Sequence, residues 1–554
     1  MIVTSARRVT GRVWTSTGYS LIRPLRSRLY SSEALPQDEQ PIVKKRPQFR
    51  DYFVTHLPSS SLHPDPRGPT SPIHKLPRSA SVPHMDDKSP STAPLQALVD
   101  RDTTVVRIPL RNAKHHFGAV TARGTRPTNE DTYQAGVIDI PAFAKRPPTS
   151  LTIKRNSSPR ESRAADTASG DPQVFYFGIF DGHGGSECST FLKERLHEYI
   201  QDTAATFEVG SSLRTSQQMS GGELAASNGL LPVMQKGNRR RIGDLEKNLV
   251  QNWRELVGGY FRRFKPPHFS YYGSDSADTP PTSLVSIEEI MEYAFLRADL
   301  DFVKAQAAKR DDDLVLAERP LNDDDILHSP SLTRAPKIGG RSRFKGGSTG
   351  SIAMISTPSS TPFWHPAGPS SLLISHVGDT RVLLCSTENG EAIPVTSNHH
   401  PSSPIEAGRL RRYATTFVTD SFGEERMSGL ANTRSFGDVQ SKRTGVSAEP
   451  ELRRIEMGAA EYSFLVMMSD GISGTLLDQE IVDIVKEART PEQGARDVVS
   501  FATEVTKEGD NATCLVIRLG GWERRQEGGV GSLGTKESRE WRRLDATDPR
   551  RSRT

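Results

Sequence analysis

Asp181 follows the apolar run Val174 to Phe180 and opens the sequence Asp181-Gly182-His183-Gly184-Gly185, which holds a carboxylate at the end of a rigid strand. The glycines let the main chain pass close to an ion, so the Gly182 carbonyl becomes available as an oxygen ligand. The same design recurs where Phe464 to Met468 ends in Ser469-Asp470-Gly471. Gly378-Asp379 follows the run Leu372 to Val377, and Gly509-Asp510-Asn511 precedes the run Thr513 to Leu519. Further upstream, Arg126 stands four residues before the adjacent carboxylates Glu130 and Asp131. A planar guanidinium grips two phosphate oxygens at once, and hard carboxylate ligands suit Mg2+ or Mn2+. Taken singly, these are ordinary turn dipeptides or surface ion pairs, and the Asp181 run alone is as readily a glycine turn as a metal site. Their repetition at the ends of several strands points to convergence on metal-assisted phosphate chemistry.

The elements that must position these residues are mostly strands. Short apolar, β-branched runs predict strands over His116–Val120, Tyr133–Ile140, Val174–Phe180, Ser351–Ser356, Leu372–Val377, Arg381–Cys385, Ala392–Val395, Phe464–Met468 and Thr513–Leu519. Asn389-Gly390 supplies a tight turn between two of them. A helix is expected from Ser186, capped by its hydroxyl, because Cys188, Phe191, Leu192, Leu196, Tyr199 and Ile200 share one face. A second is expected from Ser286, with Glu289 completing a capping box and Ile287, Ile290, Met291, Ala294 and Ala298 at helical spacing. Strand-rich halves separated by helices argue for an α+β sandwich rather than a doubly wound parallel sheet.

With 34% hydrophobic residues, 44 glycines and 38 prolines among 554 residues, and a mean hydropathy of -0.53, much of the chain is poor in core. The expected organisation is a mitochondrial transit peptide over 1–30 and a Pro/Ser-rich disordered arm over 31–104. A catalytic domain over 105–520 follows, with insertions near 142–172, 203–245, 305–343 and 357–370, and then a charged flexible tail over 521–554. The first thirty residues contain six arginines and no acidic residue, and Arg28-Leu29-Tyr30-Ser31-Ser32 resembles a mitochondrial processing site. Cleavage there takes the formal charge from +5 to -1, so the high isoelectric point does not imply nucleic-acid binding. The address is then mitochondrial, matrix or intermembrane space. No apolar run approaches the roughly 20 residues of a membrane span. Cys188, Cys385 and Cys514 read as three buried thiols rather than a disulfide or zinc framework. His115-His116 and His399-His400 read as solvated loop or strand-edge positions, and the triplets 311–313 and 323–325 as hydrated acidic loops.

In order, Arg126 to Asp131, Asp181 to Gly185, Gly347-Ser348-Thr349, Val377 to Arg381, Leu430 to Asp438, Ser469-Asp470-Gly471 and Gly509-Asp510-Asn511 resemble the motifs of the protein phosphatase 2C family, over about residues 116–519. That resemblance implies a four-layer α-β-β-α sandwich of two antiparallel sheets flanked by helices. It also implies hydrolysis of phosphoserine and phosphothreonine in proteins by a metal-bound water, with two Mg2+ or Mn2+ ions as cofactors. By the same resemblance Asp181 would bridge the ions, Asp470 and Asp510 would hold one of them, and Gly182 would offer its carbonyl to the other. Glu130 would act through bound water with Asp131 in support, Arg126 would bind the substrate phosphate, and His183 would protonate the departing oxygen. Gly474 stands where the motif usually continues to another aspartate, which leaves Asp379 without a companion and puts a third ion in doubt. Fungal mitochondrial members of the family suggest phosphoprotein partners in the matrix, such as the pyruvate dehydrogenase complex, and a monomeric enzyme. The competing reading is a catalytically inactive, phosphoprotein-binding scaffold, which would show eroded metal positions. Arg126, Glu130, Asp181, Asp470 and Asp510 are all present.

Overall fold

The computed structural model describes residues 49–50, 52–58, 81–82, 103–109, 113, 115–145, 171–213, 238–270, 285–309, 338–359, 361–411, 417–419, 425–427, 429–506, 509–525 and 532–547. The transit-peptide segment and both acidic triplets lie outside them. The strands in chain order are β1 (Tyr52–Pro58), β2 (Ser81–Val82), β3 (Thr103–Pro109), β4 (Phe117–Ala122), β5 (Thr132–Ile138), β6 (Val174–His183), β7 (Gly347–Ser356) and β8 (Ser370–Val377). They continue with β9 (Arg381–Ser386), β10 (Ala392–Pro394), β11 (Phe417–Thr419), β12 (Glu425–Met427), β13 (Phe436–Gly437), β14 (Glu451–Met457), β15 (Tyr462–Met468) and β16 (Ala512–Arg518). The α-helices are α1 (Glu187–Thr206), α2 (Arg239–Leu256), α3 (Ile287–Ala307), α4 (Pro404–Arg411), α5 (Asp470–Ser473), α6 (Asp478–Glu487), α7 (Pro491–Val505) and α8 (Ser532–Thr547).

Two antiparallel sheets form the centre, ordered β14-β8-β7-β6-β5, with β13 paired to β7, and β10-β9-β15-β16-β4. Side chains alternate across a strand, so β6 sends Phe175, Phe177 and Ile179 between the sheets and Val174, Tyr176 and Phe180 toward the helices. The inner layer joins the β6 residues to Leu372, Ile374, Leu465, Met467, Leu515 and Ile517. On the outer face of the larger sheet lie α1, α2 and α3, through residues such as Leu192, Trp253 and Phe302. On the outer face of the smaller sheet lie α6 and α7, through Ile481, Val485, Val498 and Phe501. Both faces of each sheet are therefore covered, which is why the central strands read as unbroken apolar runs. Helices outside two antiparallel sheets make the α-β-β-α architecture that the sequence resemblance implied.

Several local details differ from expectation. Strand β6 continues through Asp181, Gly182 and His183, which pair with Thr349, Ser348 and Gly347, so Asp181 sits inside a ladder and not at its end. Ser186 makes no side-chain cap to α1. Ser286 caps α3 by accepting from the Glu289 amide at 3.2 Å, but the Glu289 carboxylate takes Arg239 of α2 at 2.6 Å, so an interhelical ion pair replaces the return half of the box. Helix α2 begins inside the segment read as an insertion, and Ile242, Leu249, Val250, Trp253 and Leu256 form its buried face. The 357–370 segment is packed, with Phe363 edge-on to Phe175 and Phe177 in the inner core. The segment read as a disordered arm contains β1 and β2, which pair with β3 at the start of the segment read as the catalytic domain. The segment read as a flexible tail contains α8. The three cysteines are buried and free, as expected.

Candidate metal centre

Asp181, from β6, Asp379, from the turn after β8, and Asp470, at the start of α5, each present a carboxylate oxygen within 4.8 Å of the others. Two glycines make this approach feasible. A Cβ on Gly182 would lie 2.6 Å from the Glu130 carbonyl, and one on Gly471 would lie 2.1 Å from the Asn511 carbonyl. The glycines after Asp181 and Asp470 are thus demanded by the backbone just before β5 and just before β16. The Asp470 amide donates to Asp181 at 3.2 Å, tying the two together.

Around this trio the remaining expected residues take distinct places. Asp131 is buried; Ser469 donates to its Oδ2 at 2.7 Å, while its Oδ1 has no hydrogen-bond donor among the described residues. Glu130 stays outside the tight group, its carboxylate receiving a 3.4 Å bond from Thr128. Asp510 is also outside it and pairs with Arg126 at 2.6 Å, an exposed contact in which the Arg126 side chain is 59% accessible. Beside Asp470, a cavity of about 460 Å3 is lined by Asp379, Arg381, Asn398, Gly474 and Asp478 among others. Gly474 itself adds no carboxylate to that lining, and Asp379 accepts from Asn432 at 2.8 Å.

The electrostatics are those of an unbalanced cluster. Burial, then the charges of Asp470, Asp131 and Asp379, push Asp181 well above the usual carboxylate range. Burial and Asp379 push Asp470 up to about 7, and burial pushes Asp131 up to about 6 against the pull of the Ser469 hydroxyl. Like charges raise one another in this way when no cation divides them. The donor set consists only of carboxylate oxygens, includes a buried oxygen without a donor, and gains from a positive charge; it fits a hard divalent cation.

Two contributors carried no assigned role at the sequence level. Asp438, 4% exposed, accepts from or shares a proton with His183 Nε2 at 2.9 and 3.0 Å, and also accepts from the Ser435 hydroxyl. It adopts left-handed backbone angles, φ 42° and ψ 50°, an uncommon conformation for a residue with a side chain. Burial by itself lowers the His183 pKa, but the Asp438 hydrogen bond and charge outweigh it and hold the imidazole above its ordinary value. The pair Gly437-Asp438 repeats the Gly-Asp signal of Gly378-Asp379 and was legible on that ground. Asn511 is the second: its Oδ1 accepts from Glu130 N at 2.7 Å while its Nδ2 donates to the carbonyls of Arg123 and Thr128 at 2.8 and 3.0 Å. It fastens the Arg126–Asp131 loop to β16. His399, expected to be solvated, is 4% exposed, and its Nδ1 accepts from the Gly378 amide at 2.9 Å.

Helices flanking two antiparallel sheets, with a carboxylate cluster drawn from β6, the turn after β8 and the start of α5, fit the class of metal-dependent hydrolases. Residues 294–511 match the family model described as protein phosphatase 2C. The chain is 31% identical to protein phosphatase 2C homolog 4 of Schizosaccharomyces pombe, across 76% of this chain and 84% of that one. It is 33% identical to a mitochondrial protein phosphatase 1K of Xenopus laevis over 31% of this chain and 46% of that one. It belongs to the protein phosphatase 2C family and is a metal-dependent protein serine/threonine phosphatase.

Proposed function

We propose that the chain hydrolyses phosphoserine and phosphothreonine in proteins at a two-ion centre, and that its substrates are mitochondrial. The observation that carries this reading is the convergence of Asp181, Asp379 and Asp470, whose mutual repulsion a divalent cation relieves. Asp181, Asp470, Asp510 and the Gly182 carbonyl are the proposed direct ligands for Mg2+ or Mn2+, with Glu130 and Asp131 supporting through water. When bound, the ions activate a water and neutralise the phosphate's charge.

This chain's own side chains supply the rest. Arg126 keeps most of its guanidinium in solvent and offers its free donors to phosphate oxygens, a planar match that lysine lacks. An alkoxide is a poor leaving group, so proton donation to the serine or threonine oxygen contributes roughly 10^2 to 10^4-fold. Asp438 engages His183 Nε2, which leaves Nδ1 as the donor for that oxygen. Asp438 is the proposed orienting carboxylate. The arginine-rich, acid-free first thirty residues support a mitochondrial address, and one relative is named as mitochondrial. Matrix phosphoproteins, such as the pyruvate dehydrogenase complex, are the corresponding substrate proposal.

The test is phosphate release from a phosphothreonine peptide by the full chain with Mn2+, beside Asp181→Asn. Release by the unmodified chain that the variant abolishes supports the reading; no release, or equal release, refutes it. A fusion of residues 1–40 to a fluorescent reporter is expected in mitochondria, and a cytosolic signal overturns the address.

A further inference from the structure

Helix α8 lies beyond the last strand and is not required to close either sheet. It packs against α6 and α7 almost entirely through polar groups, and its one buried side chain is Arg539. Arg539 pairs with Glu487 at 2.8 Å, Thr535 donates to Asp483, and Arg543 lies 3.5 Å from Glu504. The guanidinium groups of Arg542 and Arg543 stand over the Phe501 ring at 5.5 and 5.1 Å.

Arg542 does something the others do not. Its Nη1 donates to both Glu480 oxygens at 2.9 and 3.2 Å, and its Nη2 donates to the Thr475 carbonyl at 2.9 Å. Thr475 is two residues past α5, the single turn that starts at Asp470. Its hydroxyl donates to the Gly471 carbonyl at 3.2 Å, and the intervening Gly474 amide donates to the Asp470 carbonyl at 2.7 Å. Glu480, the other partner of Arg542, accepts from the Leu477 amide at 3.0 Å. The far end of the segment is held by Asp478, which pairs with Arg381 at 2.9 and 2.5 Å, two residues after Asp379. The Asp470 and Ile472 carbonyls of this turn accept from the Gly474 and Leu476 amides, and the Arg542 guanidinium takes the Thr475 carbonyl that follows, placing a positive charge at the C-terminal end of the turn, where its sign is favourable.

We propose that α8 is a brace for the metal centre and that Arg542 is a positioning residue for Asp470, acting through Thr475 and Glu480. The C-terminal helix thereby sets how strongly the chain holds its cation. The proposal rests on the assignment of Asp470 as a metal ligand. It makes residues 532–547 a control element: a partner or modification that lifts α8 lowers metal occupancy without touching the cleft.

The experiment is Mn2+ titration of the full chain, with free Mn2+ read by electron paramagnetic resonance and thermal unfolding measured in parallel. Arg542→Ala is expected to bind Mn2+ about tenfold more weakly, the usual loss when an outer support of a ligand is removed. Its kcat at saturating Mn2+ stays within about twofold of the unmodified chain, because the chemistry is unchanged once the site is filled. Arg542→Lys, which keeps the charge but not the fork, falls between the two and carries the test if the alanine variant does not fold. Glu540→Ala, exposed on the same helix, binds as the unmodified chain does. A lower unfolding temperature with unchanged Mn2+ affinity makes α8 a simple fastener and overturns the proposal. No Mn2+ binding by the unmodified chain refutes the metal-centre reading itself, and this inference with it.

Discussion

Two polar clusters flank the Gly378-Asp379 turn and settle their charge in opposite ways. On one side, Asp181, Asp379 and Asp470 gather like charges, and burial together with mutual repulsion raises Asp181 and Asp470. On the other, the Glu406 carboxylate takes Arg434 and Arg409, each at 2.7 and 3.0 Å, and the Thr433 hydroxyl at 2.6 Å. Burial opposes the ionised Glu406, yet the two arginines hold it well below the usual carboxylate range. Beside it, donor atoms of His376, His399 and Glu451 lie as near one another as those of the aspartate trio. Their ring nitrogens are engaged: His376 with Ser351 and the Ser397 carbonyl, His399 with the Gly378 amide and Glu451. Proximity alone therefore does not distinguish a metal site from a structural network. What separates them is whether the charges and lone pairs are already satisfied.

The contrast can be broken most severely at Asp181. Asp181→Asn is expected to lower phosphopeptide turnover at least ~10^4-fold, as a proposed ligand of both ions is lost. The metal-free variant should melt at a higher temperature than the unmodified chain in chelator, since one of several repelling charges is gone. In the balanced cluster the sign reverses. Glu406→Gln strands two buried guanidinium groups and is expected to cost about 3–5 kcal/mol in urea unfolding.

Asp438 lies between these extremes. Asp438→Asn is expected to lose about 10^2-fold on a phosphothreonine peptide but less than about tenfold on p-nitrophenyl phosphate, whose leaving group needs little proton donation. Equal losses on both substrates would remove Asp438 from proton transfer. The smallest effect concerns pH. Burial, then the neighbouring His399, lower the His376 pKa to about 3, so between pH 6.5 and 3 the unfolded chain binds a proton that the folded chain does not. Stability must fall as pH drops through that window. From pH 7.5 to 5.5 the unmodified chain should lose about 1 kcal/mol more than His376→Asn, compared by urea midpoints. Glu451, held at about 2 chiefly by His399 and Ser397 against its burial, contributes stability above pH 4.5 that fades as pH falls toward 2.

Most central strands were legible because both of their faces are buried, and an unbroken apolar run bounded by turns has few alternatives. Helix α2 was equally legible from the spacing of Ile242, Leu249, Trp253 and Leu256, although its first turns fall in a segment that reads as an insertion. Helix α8 was not, because what fixes it is a set of arginines whose partners, Glu480, Glu487 and Glu504, lie 39 to 62 residues away. A charged stretch looks the same in sequence whether it is solvated or docked.

By itself, the sequence determined that carboxylates recur beside glycines near strand ends and that an arginine and a histidine accompany them, since residue type and local spacing are one-dimensional properties. Only the tertiary structure decided which carboxylates meet. It joined Asp379 to Asp181 and Asp470, turned Asp510 toward Arg126, brought Asp438 to His183 across 255 residues, and set Arg542 on the Thr475 carbonyl. The physical reason is that Coulomb repulsion, desolvation and hydrogen bonding depend on distance and burial through space.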